Sequence, residues 1–161
     1  MLIIVGHGPS VRNHTLGPVI DKGRVVRLKA ALTDPLHAGL RTDVVCSRGL
    51  RHRREGADFW LYPKEGREYA CEHVADGSRW NQYYRQFGPK KPYTGLCAVF
   101  CAVQFEAPTV IGLIGFDFLL APHLATRWSH VFGHDAAAEH ACLYSLGVEI
   151  IDLAKESSWP N

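Results

Sequence analysis

The densest set of side chains able to move protons lies between residues 123 and 140: His123, His130, His134-Asp135, Glu139 and His140. An imidazole titrates near neutrality, so His134 can take a proton from a hydroxyl as general base, and Asp135 beside it can hold the required tautomer. Both stand at or just before the start of an alanine-rich helix, Asp135 to Leu146, whose first amides attract an anion such as phosphate. Glu139 falls more than one turn along. It can buttress the N-terminal loop, interact with the helix dipole or act directly in a site. A metal centre is the weaker reading of this cluster, because no HExxH pattern and no acidic ladder is present. The GxSxG pattern of a serine hydrolase is also missing.

A second group of residues suits phosphate. Gly6-His7-Gly8-Pro9-Ser10 follows the aliphatic run Leu2–Val5, as a tight turn follows a buried strand. The turn's backbone groups, Ser10, Thr94 at a helix start, and the side chains of Asn13 and Lys29 are the candidate contacts. The same glycines would also serve a purely structural turn. A dinucleotide site needs an acidic residue about twenty positions after the glycines. Here Asp21 precedes the second strand and Lys29 follows it, so the pattern favours a nucleotide phosphate without favouring NAD.

Positioning these groups requires a sheet. Strands are expected at Leu2–Val5, Val25–Leu28, Thr42–Cys46, Tyr69–Val74, Thr109–Ile114 and Val148–Leu153. Residues 11–23 permit only a short or broken helix, and residues 49–68 carry no clear element. Ser78–Phe87 reads as a helix with its aromatic side turned inward, ended by Gly88-Pro89. Thr94 reads as the cap of a buried apolar helix through Phe105, and Gly147 as the C-cap of the last helix. Gly115-Phe116-Asp117 then lies at a strand's carboxyl end, where α/β proteins place functional groups. The alternation of strand and helix indicates a mostly parallel sheet. The tail from Lys155 reads as a frayed end.

The 161 residues suit one domain spanning 1–161, and 47% hydrophobic with 21% charged residues is an ordinary globular balance. A formal charge of +2 is too small to argue for dedicated nucleic-acid binding. Arg48, Arg51, Arg53 and Arg54 form a basic run, expected as a solvated face ahead of a dedicated anion site. Five cysteines without metal spacing, and no basic leader before the apolar residues 1–6, point to a reducing, cytoplasmic setting. Cys97 and Cys101 belong on one buried helical face, and no membrane span is expected.

Three blocks, in order, resemble the sialyltransferase family, whose members include animal enzymes and short bacterial or phage relatives. Ile4 to Ser10 through Gly17, Ile20-Asp21 and Val25–Arg27 is similar to that family's large motif. Lys91-Pro92-Tyr93-Thr94-Gly95, the apolar helix and Ile111–Asp117 resemble its small motif. His134-x4-Glu139 with Leu146-Gly147 resembles its very short motif. The resemblance implies a Rossmann-like, three-layer, mostly parallel α/β sheet forming a compact glycosyltransferase core of GT-A-like variant type. It implies transfer of sialic acid from a CMP-activated donor to a glycan acceptor, with inversion and without a divalent ion or other cofactor.

The resemblance assigns nucleotide contacts to Gly6, His7, Gly8, Pro9, Ser10, Thr94 and Gly95, and the residues themselves add Asn13 and Lys29 as candidates. It makes His134 the base, with His130 at the leaving phosphate, while Asp135 beside the base, and Asp117 and Glu139 in support, come from the reading of the residues. Three positions depart from the family pattern: His7 and Lys29 stand where asparagines are expected, and Tyr93 where a serine is. The animal family's disulfide is not expected. The short chain lacks acceptor-covering segments unless a homo-oligomer supplies them. A transferase of another nucleotide sugar and a catalytically silent nucleotide- or glycan-binding module are the alternatives.

Overall fold

In the computed structural model, residues 1–29, 33–64, 67–116 and 135–155 are described. Seven strands form one sheet: β1 (Leu2–Val5), β2 (Arg24–Leu28), β3 (Val44–Ser47), β4 (Asp58–Leu61), β5 (His73–Val74), β6 (Val110–Ile114) and β7 (Glu149–Asp152). Their spatial order is β5-β4-β3-β2-β1-β6-β7, and every neighbouring pair is parallel. Parallel strands covered on both faces are built from continuous aliphatic runs, and β1 and β6 are such runs.

The strand order reverses between β1 and β6. The chain adds β2 to β5 on one side of β1 and then returns to lay β6 and β7 on the other. The carboxyl ends of β1 and β6 therefore flank the switch-point crevice, the place where open α/β sheets take ligands.

Helices α2 (Gly77–Tyr84), α3 (Thr94–Glu106) and α4 (Ala136–Tyr144) cover one face of the sheet. Helix α3 is apolar all round, from Leu96 to Ala102, because it lies between the strands and the other two helices. Trp80 of α2 stacks on Phe100 of α3 at 4.7 Å. The opposite layer is thinner than the sequence suggests. The 3₁₀ turn Pro9–Asn13, the one-turn helix α1 (Gly17–Ile20) and the loop carrying Ala38 cover it. That loop is tied down by Arg27, a fully buried guanidinium in β2 that donates to the carbonyls of Arg41 and Ala38.

Two element expectations change. Tyr69–Val74 contributes only His73–Val74 as strand, and the segment without a clear element holds β4. Phe59 and Leu61 of β4 pack in one apolar cluster while Trp60 enters the main core, so the strand is buried on both faces. Cys46, Cys97, Cys101 and Cys142 are buried free thiols. Among the described residues no helix is long and apolar enough to cross a membrane.

Candidate functional site

The crevice between β1 and β6 is closed at its base by a backbone seam. Gly6 N–H donates to Ile114 O at 2.8 Å, and Gly8 N–H donates to Gly115 O at 2.9 Å. Only glycine permits this approach: a β-carbon on Gly6 would lie 2.5 Å from Gly115 O. Two of the turn's amides are thus committed to holding it against the end of β6.

The start of α3 enters the same crevice. A β-carbon on Gly95 would meet the Phe116 ring at 2.7 Å, so the helix's first turn lies against the residue that follows Gly115. Thr94 is not the cap but the first helical residue. Tyr93 holds the cap position and makes no side-chain capping bond. Its own N–H is taken by Glu139 Oε1 at 2.7 Å, which starts the helix one residue earlier than the threonine hydroxyl suggests. The amides of a helix's first turn have no intrahelical partner, so an uncapped start offers its donors and its dipole to an anion.

Glu139 comes from α4 and is buried. Burial raises its carboxyl to about 7, the Tyr93 N–H bond opposes that rise, and the neighbouring Asp135 adds to it. Of the roles open to this residue, the structure displays the buttress: one carboxylate ties the start of α3 to the first turn of α4. Asp135 caps α4, its Oδ1 accepting from Ala138 N at 3.0 Å. His123, His130, His134 and Asp117 lie outside the described residues. The chain beyond them re-enters at Asp135, beside the crevice.

Lys29 closes β2 with φ +53. A side-chain-bearing residue in the left-handed region costs about 1–2 kcal/mol and is notable where it stands at a crevice. Its N–H donates to Cys46 O. His7 reaches the same strand end, its ring Nε2 donating to Leu28 O at 2.7 Å. Asn13 is exposed at the end of the first 3₁₀ turn, farther along the chain from the seam.

Arginines that the sequence places on a solvated face join this edge. Arg51, Arg53 and Arg54 are exposed, as expected, but Arg48 is not. The Arg48 guanidinium stands over the buried Tyr62 ring at 5.7 Å, and its buried Nε has no hydrogen-bond partner among the described residues. An orphaned buried donor costs about 1–3 kcal/mol. Desolvation first, then the charges of Arg51 and Arg48, lower the pKa of Lys29, although its side chain is exposed. His52 is lowered by desolvation and then by Arg51, Lys29 and His7. Arg51 Nε donates to His52 Nε2 at 3.0 Å. None of Lys29, Arg48 and Arg51 pairs with a carboxylate among the described residues. Summing charges along the chain cannot reveal this convergence, which depends on three strand ends lying side by side.

No family model matches the chain, and no curated protein matches it. Solved structures do. The crystal structure of a mammalian sialyltransferase aligns with TM-score 0.65 at 16% identity, over 94% of this chain and 68% of that one. A mammalian sialyltransferase in complex with Gal-beta-1-3GalNAc-ortho-nitrophenol aligns with TM-score 0.63 at 18% identity, over the same shares. The likeness is one of fold. It establishes a mixed α/β, Rossmann-like core with a parallel sheet like theirs. Among the described residues no group of three or more His, Cys, Asp or Glu side chains could hold a metal ion.

Proposed function

We propose that the chain is a glycosyltransferase that moves a sugar, sialic acid before any other, from a CMP-activated donor to a glycan hydroxyl with inversion. One observation carries the reading: on a fold that aligns with sialyltransferases, the glycine seam and the uncapped start of α3 meet at the switch point of the sheet. An anion held there meets helix amides and lysine together.

In this reading the nucleotide phosphate lies against Gly6–Ser10 and against Thr94-Gly95, with Asn13 and Lys29 at its margin. His134 takes the proton of the acceptor hydroxyl, and the oxygen attacks the anomeric carbon as the bond from that carbon to the phosphate oxygen breaks. CMP leaves with that electron pair, stabilised by His130. Asp135 fixes the tautomer of His134, and Asp117 and Glu139 support the site. No metal or other cofactor takes part. The whole of 1–161 acts as one nucleotide-sugar-binding domain, in the cytoplasm of a bacterium or a phage-infected host.

The test is a competition screen of CMP, UMP, UDP and GDP against the full chain, repeated with His134→Ala. CMP is expected to bind best, and the variant to keep CMP while losing transfer. Equal binding of all four nucleotides would remove the donor assignment, and full transfer by the variant would remove the base. CMP binding with neither donor hydrolysis nor transfer would make the chain a silent nucleotide-binding module.

A further inference from the structure

The basic groups at the ends of β2 and β3 exceed what one phosphate needs. A phosphate at the switch point sits between β1 and β6, whereas Arg48 and Arg51 follow β3, two strands away from β1. Adjacent strands are about 4.8 Å apart, so the end of β3 lies two strand spacings from the end of β1. The two guanidinium groups are nevertheless continuous with the glycine turn. The charge of His7 is felt at His52, and those of Arg48 and Arg51 at Lys29. Arg48 also acts on Cys97, in the opening turns of α3, so the group borders the same helix start.

We propose that Arg48 and Arg51, together with Lys29, form a second oxyanion subsite that binds a carboxylate or phosphate borne by the donor beyond its first phosphate. Three features of the structure support it. Among the described residues no carboxylate pairs with these cations, the buried Nε of Arg48 has no acceptor there, and Lys29 is held left-handed at the end of β2. A guanidinium fork matches a planar carboxylate or a phosphate in two parallel bonds, which a lone lysine cannot do. The inference rests on the donor reading above and narrows it: the ligand of this crevice carries two separated anionic groups. A sugar carboxylate and a second phosphate are the two sources of such a group.

Calorimetric titration of the full chain with cytidine, CMP, CDP and CMP-sialic acid separates them, using the native chain, Arg48→Gln and Arg51→Gln. Arg51 is exposed, so its variant tests the subsite even where Arg48→Gln disturbs packing on Tyr62. Either CDP or CMP-sialic acid should bind about tenfold or more tightly than CMP, as expected for an added charge-assisted pair. That advantage should largely vanish in both variants, while affinity for CMP itself changes little. A gain for CDP alone assigns the second group to phosphate, and a gain for CMP-sialic acid alone assigns it to the carboxylate. No gain for either, or a gain retained in both variants, overturns the subsite. Failure of CMP to bind at all overturns the donor reading instead. The subsite is then judged by inorganic pyrophosphate, which should shift the His52 ring resonances of the native chain and not those of Arg51→Gln. Unmoved resonances in the native chain would overturn it too.

Discussion

The two ends of the sheet treat charge in opposite ways. At the amino end several ions are paired: Arg24 bridges Asp58 at 3.0 Å and Glu106 at 2.7 Å, and Arg41 meets Asp43 at 2.8 Å. Asp43 also accepts from the N–H of Val25, and Asp21 from those of Leu40 and Arg41. At the carboxyl end the cations converge on one another, a guanidinium nitrogen is left without an acceptor, and the buried carboxylate is pushed toward its neutral form. Both ends arise from the same parallel strands, so the contrast is not imposed by the fold. At one end charges are satisfied within the chain, and at the other a buried guanidinium nitrogen has no acceptor among the described residues.

The largest effect expected from disturbing this contrast is at the seam. Gly6→Val would drive a β-branched side chain onto the Gly115 carbonyl. It should cost about 3 kcal/mol or more in urea unfolding, and a cost under about 1 kcal/mol would mean that the turns are not tightly joined.

Glu139 comes next. Its folded pKa, about 7, lies above its ordinary value of 4.5, so the folded state holds a proton that the unfolded chain has released. Its contribution to stability is complete below about pH 4.5 and is lost as pH rises through about 7, by up to about 3 kcal/mol. Unfolding midpoints measured from pH 4 to 9 should show that decline, and Glu139→Gln should flatten it. An equal decline in the variant would assign the dependence to other groups.

The smallest effect compares one cation from each end. Arg24→Ala removes exposed ion pairs and should lower stability by about 1 kcal/mol or less without touching nucleotide affinity. Arg48→Gln removes an orphaned donor and a contact on the Tyr62 ring, so it should change stability by about 1 kcal/mol or less while weakening the doubly anionic ligand. If both variants behave alike in the two assays, the ends do not differ in purpose.

Much of this arrangement can be read from sequence because it is local. Leu2–Val5 before Gly6-His7-Gly8 announces a strand and a tight turn, and Thr109–Ile114 before Gly115 announces its counterpart. Asp-Phe-Trp-Leu of β4 escapes such a reading. Its last three residues are buried, on both faces, and so show no alternation, and Gly56 and Pro63 beside them speak for a loop. The cap at Tyr93 escapes it for another reason. The group that takes its N–H is Glu139, brought in by a different helix. Arg48 is the clearest case, since its burial depends on Tyr62 and the register that sets Ser47 beside Leu61. Local pattern marks the turns, whereas the chemistry of the crevice comes from neighbours distant in the chain.

The pairing of β1 with β6 also has a consequence for how the protein is made. Leu2 lies opposite Ile111 and Val5 opposite Ile114, so during synthesis β1 can join β2 early but must wait for its other neighbour. Until then an aliphatic edge stands open to other chains, and the nascent protein relies on slow, long-range pairing to close it.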